Sequence, residues 1–210
     1  MKRRTTALLA ASTLAAAAVP AFAPAPASAA GDKPIASVLT SDGNRFDQKN
    51  DFDIVTEAAL AVIDAKPGSP VAILADGSKR ATVFAPTDQA FRLLAKDLTG
   101  KKIKSEKKIF NTLVEAAGVD TIEAVLLYHV VAGKTLTAKK VLKADGAKLK
   151  TAGGGVIKVK VSKGKKPTVT LKDLDRNDRD PRVVLKLTDL NKGNKQVGHG
   201  IDRVLRPIDL

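Results

Sequence analysis

Few side chains in this sequence could take part in acid–base or ligand chemistry: Tyr128 beside His129, and His199 three residues before Asp202. Histidine is the side chain whose ordinary pKa lies nearest neutrality, so each ring is first weighed as a base or ligand. With two histidines and no cysteine, a zinc centre would have to be built mostly from carboxylates. A secreted hydrolase would have to use His199 and nearby carboxylates. However, no nucleophile-elbow, HExxH or Walker phosphate-loop pattern occurs. Gly153-Gly154-Gly155 lacks the Lys-Ser/Thr that would follow in a phosphate loop and reads as a turn. Asp173, Asp175 and Asn177 alternate as in the opening of a calcium loop. The sixth position is Asp178 instead of glycine, and the twelfth is Val184 instead of glutamate. With Arg176, Arg179 and Arg182 offsetting the acids, this stretch reads as a solvated hairpin loop with internal ion pairs. The expectation is a non-enzyme with no catalytic residue, no metal and no cofactor.

Lysine is the other group with chemical reach. Lys148, Lys150, Lys158, Lys160, Lys163, Lys165 and Lys166 fall between Ala147 and Lys166 without one acid. On a strand, Lys158 and Lys160 share a face opposite Ile157 and Val159, which makes a ridge of ammonium groups. The ridge fits an anionic polymer or, equally, a solvated face and lysine protection of a sheet edge. A second group, Lys101, Lys102, Lys104, Lys107 and Lys108, opens a helix where the macrodipole does not favour it. Nucleic acid is not expected. Aromatics make up 3% of residues with no tryptophan, so stacking platforms for single strands are missing.

The elements that position these residues fall into a helical half and a strand-rich half. Val55, Ala58, Ala59 and Val62 repeat at helical spacing until Lys66-Pro67-Gly68. Phe91, Leu94, Ala95 and Leu98 repeat it, ended by Gly100. Phe110, Leu113, Val114 and Ala117 do so again, with Ser105 as N-cap and Gly118 past the end. A fourth helix is expected from Asp120, with Glu123 completing a capping box. Its face carries Ile122, Val125, Leu126 and His129, which points His129 toward the core. Beyond Gly133 the period becomes that of strands: Ile157–Val161, Val169–Leu171, Val183–Leu187 and Ile201–Leu205. His199 and Asp202, three apart on one strand, would face opposite sides.

The stretch Thr82-Val83-Phe84-Ala85-Pro86-Thr87-Asp88-Gln89-Ala90-Phe91 joins a strand to a helix. Pro86 removes a donor and ends the ladder, and Thr87 or Asp88 can cap the helix that buries Phe91. "TVFAPTDQAF" also closely resembles the first signature of the fasciclin domain, an extracellular adhesion module. "FDIVTEAALAV", "VLLYHVVAG" (Val125–Gly133) and "GHGIDRVLRP" (Gly198–Pro207) resemble further family segments, in the family's order. One departure stands out. The closing signature usually flanks its histidine with bulky apolar residues, and here Gly198 and Gly200 do so, which reads as a locally looser strand.

The resemblance implies an α+β fold, a wedge-shaped β-sandwich or open barrel packed with several helices in the N-terminal half. It implies adhesion or macromolecular recognition without catalysis, and it places a receptor-binding role on Tyr128 and His129. Periodicity instead has His129 satisfying a buried backbone group, and both readings stay open. Thr82, Phe84, Pro86, Thr87, Asp88, Phe91, His199 and Asp202 are read as structural.

Met1-Lys2-Arg3-Arg4, the Ala-rich run to Ala23 and Ala27-Ser28-Ala29 read as a secretory signal over residues 1–29. Its removal leaves a formal charge of +11, with one domain over residues 34–210. No further run is long enough to span a membrane, so no stable membrane insertion is expected. The expected product is a secreted protein whose partner is an extracellular or cell-surface macromolecule, a protein or an anionic polymer. A carrier of a small apolar ligand held between helices and sheet is the other binding reading.

Overall fold

The strand β1 (Ala81–Pro86) is buried along its whole length, and both of its edges are paired. It runs antiparallel to β2 (Val130–Ala132) and parallel to β6 (Gln196–Ile201), the last of which is likewise buried throughout. The computed structural model describes residues 30–41 and 51–208; the expected signal segment lies outside them. Around this first sheet are arranged α1 (Ala36–Leu39), α2 (Asp53–Ala65), α3 (Asp88–Thr99), α4 (Glu106–Tyr128) and the short α5 (Ala138–Val141). A second, antiparallel sheet is formed by β3 (Lys148–Lys150), β4 (Val156–Ser162) and β5 (Thr168–Lys172). The fold is α+β, with two small sheets and no closed barrel among the described residues.

Period-two alternation assigns the two faces of β1 to two cores. Val83 and Ala85 join Ile54, Val62, Leu94 and Ile109 between the first sheet and the helices. Phe84 joins Tyr128, Ile157, Val159, Leu171 and Leu205 between the two sheets. The turn after α4 fits this second core closely. A Cβ on Gly155 would lie 2.5 Å from the Tyr128 ring, so the triple-glycine turn exists where the ring needs backbone without a side chain.

Local signals account for several element ends. Ser105 Oγ accepts from Lys108 N–H, and Gly100 closes α3 in the left-handed region at φ 70°. Gly118 interrupts α4 with φ 73° and ψ 163°, separating the two helical stripes seen in the sequence. The expected capping box at Asp120 does not form. Asp120 and Glu123 turn to Lys66 instead, and Glu123 also accepts from Ser69 Oγ.

Three strand expectations are corrected. Val183 makes only an isolated bridge, and Leu185–Leu187 is a 3-10 turn that lays Leu187 over β6. β6 stops at Ile201, so Asp202 is not on the strand with His199. Its carboxylate accepts from Arg182 N–H and pairs with Arg179, each at 2.6 Å. The glycines flanking His199 mark close packing, not looseness. A Cβ on Gly200 would come within 2.7 Å of Leu187 Cβ, and one on Gly198 within 3.1 Å of Ile35.

The acidic loop after β5 is also corrected. Its carboxylates serve the C-terminal segment, and are not engaged chiefly within a solvated hairpin. Arg206, buried, donates to Asp175 at 2.8 Å and to Asp97 on α3 at 2.7 Å, and Arg203 holds Asp178 at 2.6 Å. The Arg206 N–H donates to Asp173 as well. Removing one partner of a buried ion pair strands the other charge, which costs roughly 3–5 kcal/mol. Arg206→Ala is therefore expected to lower unfolding free energy by about 3 kcal/mol or more in denaturant titrations. Asp202→Asn, a change at a partly exposed pair with Arg179, is expected to cost less than about 1 kcal/mol in the same titrations.

Candidate functional site

Both histidines have spent their ring nitrogens on backbone groups. His129 caps the end of α4 in the core, where the Leu205 N–H donates to its Nε2 at 2.9 Å. Nδ1 therefore carries the proton and donates to the Val125 carbonyl at 2.7 Å. The His129 carbonyl in turn accepts from the Phe84 N–H of β1. Burial pushes the ring's pKa down to about 4, so it is neutral at pH 7. His199, fully enclosed on β6, accepts from the Asp189 N–H on Nδ1 and donates from Nε2 to the Leu136 carbonyl at 2.6 Å. Burial lowers its pKa as well. Neither ring retains a nitrogen with which to act as a general base. The two rings are anchored on opposite edges of β1, which carries β2 on one side and β6 on the other.

Tyr128 is only 2% exposed, its hydroxyl donating to the Val156 carbonyl at 3.1 Å, and burial raises its pKa to about 12. The Tyr128–His129 pair thus ties α4 to β1, the start of β4 and the C-terminal segment at once.

The strand-to-helix junction divides its capping between two helices. Thr87 Oγ1 accepts from Ala90 N–H at the start of its own α3. Asp88, though in the first turn of α3, accepts from Ile54 N–H at 2.9 Å and Asp53 N–H at 3.3 Å, and so caps α2. Thr82 is bonded in both senses, donating to the Lys134 carbonyl and accepting from Leu136 N–H. Gln196, a buried residue absent from the sequence reading, likewise clamps Ile35, Ile73 and Asp76 through its amide.

Asp51, Asp53 and Asp88 bring carboxylate oxygens within 4.8 Å of one another, the one such acidic cluster among the described residues. Residues thirty-odd positions apart meet there, and no spacing rule could have found them. The Asp88 pKa lies well above the carboxylate range, chiefly through burial, then through the close approach and charge of the Asp51 carboxylate and, after it, the charge of Glu106. A proton on Asp88 relieves the like-charge repulsion that a cation would otherwise have to relieve.

The lysines lie elsewhere, on the outer face of the second sheet. Lys148, Lys158 and Lys172 stand directly opposite one another across β3, β4 and β5, and Lys150 and Lys160 share their exposed face. Lys158 and Lys160 sit on the central strand, so protection of a sheet edge does not account for them. Lys172 pairs with Asp180 at 3.3 Å, whereas Lys148, Lys150, Lys158 and Lys160 make no ion pair among the described residues. Like charges directly opposed across strands are destabilising, so the row opposes the stability of its own sheet. An apolar cavity is present as well, but it lies chiefly among α2, α3 and α4 and not between helices and sheet as the apolar-carrier expectation had it. Helical periodicity identified the three stripes but could not show that they leave space between them.

The family model for the fasciclin domain matches residues 61–207. Among solved structures, the chain is similar to a FAS1 domain pair from the insect cell adhesion molecule fasciclin I, at 16% identity and a TM-score of 0.45. That match covers 73% of this chain and 43% of the other, so the chain spans less than half the length of the pair. No curated protein matches.

Two expectations follow from the buried groups. Because His129 is held neutral, the unfolded chain takes up a proton below pH 6.5 that the native state refuses until about pH 4. Stability present above the unfolded value is lost as pH falls through that window. The stability advantage of the parent over His129→Gln should shrink by about 3 kcal/mol between pH 7 and pH 4. Asp88 has the opposite sign, its stabilising effect being present in acid and lost as pH rises above the unfolded carboxylate value. Asp88→Asn keeps the acceptor for α2 and should remove this alkaline loss, whereas Asp88→Ala should cost about 1–2 kcal/mol in equilibrium unfolding.

Proposed function

The chain belongs to the fasciclin domain family, and from that premise we propose that it is a secreted recognition module for an anionic polymer at the cell envelope or in an extracellular matrix. Fasciclin domains are commonly non-enzymatic adhesion modules. In this reading residues 1–29 direct export, residues 34–210 form the single binding domain, and no bond is made or broken. Among the described residues no helix is long and apolar enough to cross a membrane, which fits a module that acts on a surface without spanning it.

The observation that supports the anionic partner is the lysine row across β3, β4 and β5. The side chains alternate strictly on β4 from Val156 to Lys160, with Ile157 and Val159 in the core and Lys158 and Lys160 outside. A rigid sheet therefore fixes the spacing of the ammonium groups, and a polyanion can lie across several strands at once. Steering by such a patch raises encounter rates and falls with ionic strength. Tyr128 and His129 contribute by holding the sheet-bearing turn in place, since both side chains are buried and bonded internally.

Binding to an acidic polysaccharide such as alginate, followed by biolayer interferometry, tests the reading. Affinity should fall about tenfold or more as salt is raised from about 0.05 to 0.5 M, because the screening length shortens to a few ångströms. Lys158→Glu/Lys160→Glu should weaken binding to a similar degree while the melting temperature stays at or above that of the parent, since the carboxylate introduced at position 158 would face Lys148 and Lys172 across the strands. Neutral dextran bound equally well, or a double variant that binds alginate like the parent, would contradict the proposal.

A further inference from the structure

α2, α3 and α4 do not close fully on one another. Between them lies a cavity of about 410 Å³ with Val55, Phe91, Leu94, Phe110, Leu113 and Ile122 among its walls. That volume is within the roughly 300–1,000 Å³ range of small-molecule sites. Polar side chains enter the wall at Thr121 and His129, and the His129 nitrogens are already bonded to Val125 and Leu205. Water inside would find few partners, so the interior suits an apolar occupant.

The charges near the opening are not evenly distributed. Leu98 lines the cavity and is 45% exposed, so the cavity meets solvent at the end of α3. Beyond that end come Lys101 and Lys102. Lys107 stands one turn before Phe110 on α4, on the same helical face. All three lysines are exposed and make no ion pair among the described residues. By contrast Asp120 and Glu123, next to Thr121 and Ile122 in the chain, are both engaged by Lys66. Glu115, exposed beside the lining Ala116, also makes no ion pair among the described residues, so the unpaired positive charge is confined to the side where α4 begins.

We propose that this cavity binds one aliphatic chain ending in a carboxylate, the chain lying among Phe91, Leu94, Phe110 and Leu113 and the head group meeting Lys101 and Lys107. The occupant is a free, monomeric amphiphile. The space lies among three helices and admits a separate chain, and the exposed large apolar side chains, from Leu60 on α2 to Ile208 near the C-terminus, are spread over different segments. The site is separate from the lysine face of the second sheet, so either can fail without the other.

Isothermal titration of the purified protein with decanoate, dodecanoate and uncharged decanol, each below its aggregation concentration, tests the proposal. Saturable one-to-one binding is expected, tightening about fourfold for each added methylene. Decanoate should bind better than decanol at low salt, and Lys101→Glu/Lys107→Glu should abolish that preference while leaving decanol affinity unchanged. Ala117→Trp, which fills the cavity, should remove binding of both ligands. Leu98→Glu, at the exposed rim and therefore tolerant of substitution, should weaken decanoate binding at least tenfold if the first variant does not fold. The proposal is overturned by a lack of saturable binding, by affinity independent of chain length, or by full binding in a folded Ala117→Trp protein. It is equally overturned if the protein binds phosphatidylglycerol vesicles but not monomeric decanoate.

Discussion

One strand has no solvent on any side, and the rest of the molecule is arranged to make that possible. β1 presents Val83 and Ala85 to the helical core and Phe84 to the core between the sheets, with β2 and β6 on its edges. Buried backbone polar groups must be bonded, so a strand of this kind can end only where side chains or neighbouring strands take over. Pro86 lacks the donor that would need a partner, Thr87 caps the helix that follows, and Asp88 caps the one before it. Phe84 donates to the His129 carbonyl, and the His129 ring then accepts from Leu205. This single histidine connects the central strand, the end of α4 and the C-terminal segment.

The residues that look most chemical are therefore engaged in holding this arrangement. His199 joins β6 to the segments carrying Leu136 and Asp189, and the acids of the 173–178 loop receive Arg203 and Arg206. An enzyme needs groups whose hydrogen bonds remain available to a substrate. Here both histidines and the tyrosine are bonded within the fold. Among the described residues, a row of lysines on the outer face of the second sheet and the apolar walls of a cavity are open to a partner.

Much of this was legible in the sequence wherever the signal was local. The stripes of α2, α3 and α4, the caps at Ser105 and Gly100, and the alternation of β4 depend on residues a few positions apart. Reading failed where distant segments decide the geometry. Val183–Leu187 alternates like a strand, yet it turns at Leu185 because Leu187 packs over Gly200. That contact, and those of Ile35 and Leu190 with Gly198, explain why the glycines around His199, which suggest slack, are closely packed. Asp120 and Glu123 have the spacing of a capping box, but Lys66 competes for both carboxylates. Arg206 carried no local signal of burial, because its partners lie on α3 and in the loop after β5. The lysine ridge is visible in the alternation of β4, but its alignment with Lys148 and Lys172 depends on a register that only strand pairing reveals.

The central claim is that recognition belongs to the lysine face while the histidines belong to the scaffold. Amide and imidazole nuclear magnetic resonance during titration with alginate separates the two most directly. The account predicts shifts concentrated at Lys148–Lys150 and Val156–Ser162, with the ring signals of His129 and His199 unmoved. Ring signals that shift while those of β4 stay in place would contradict it.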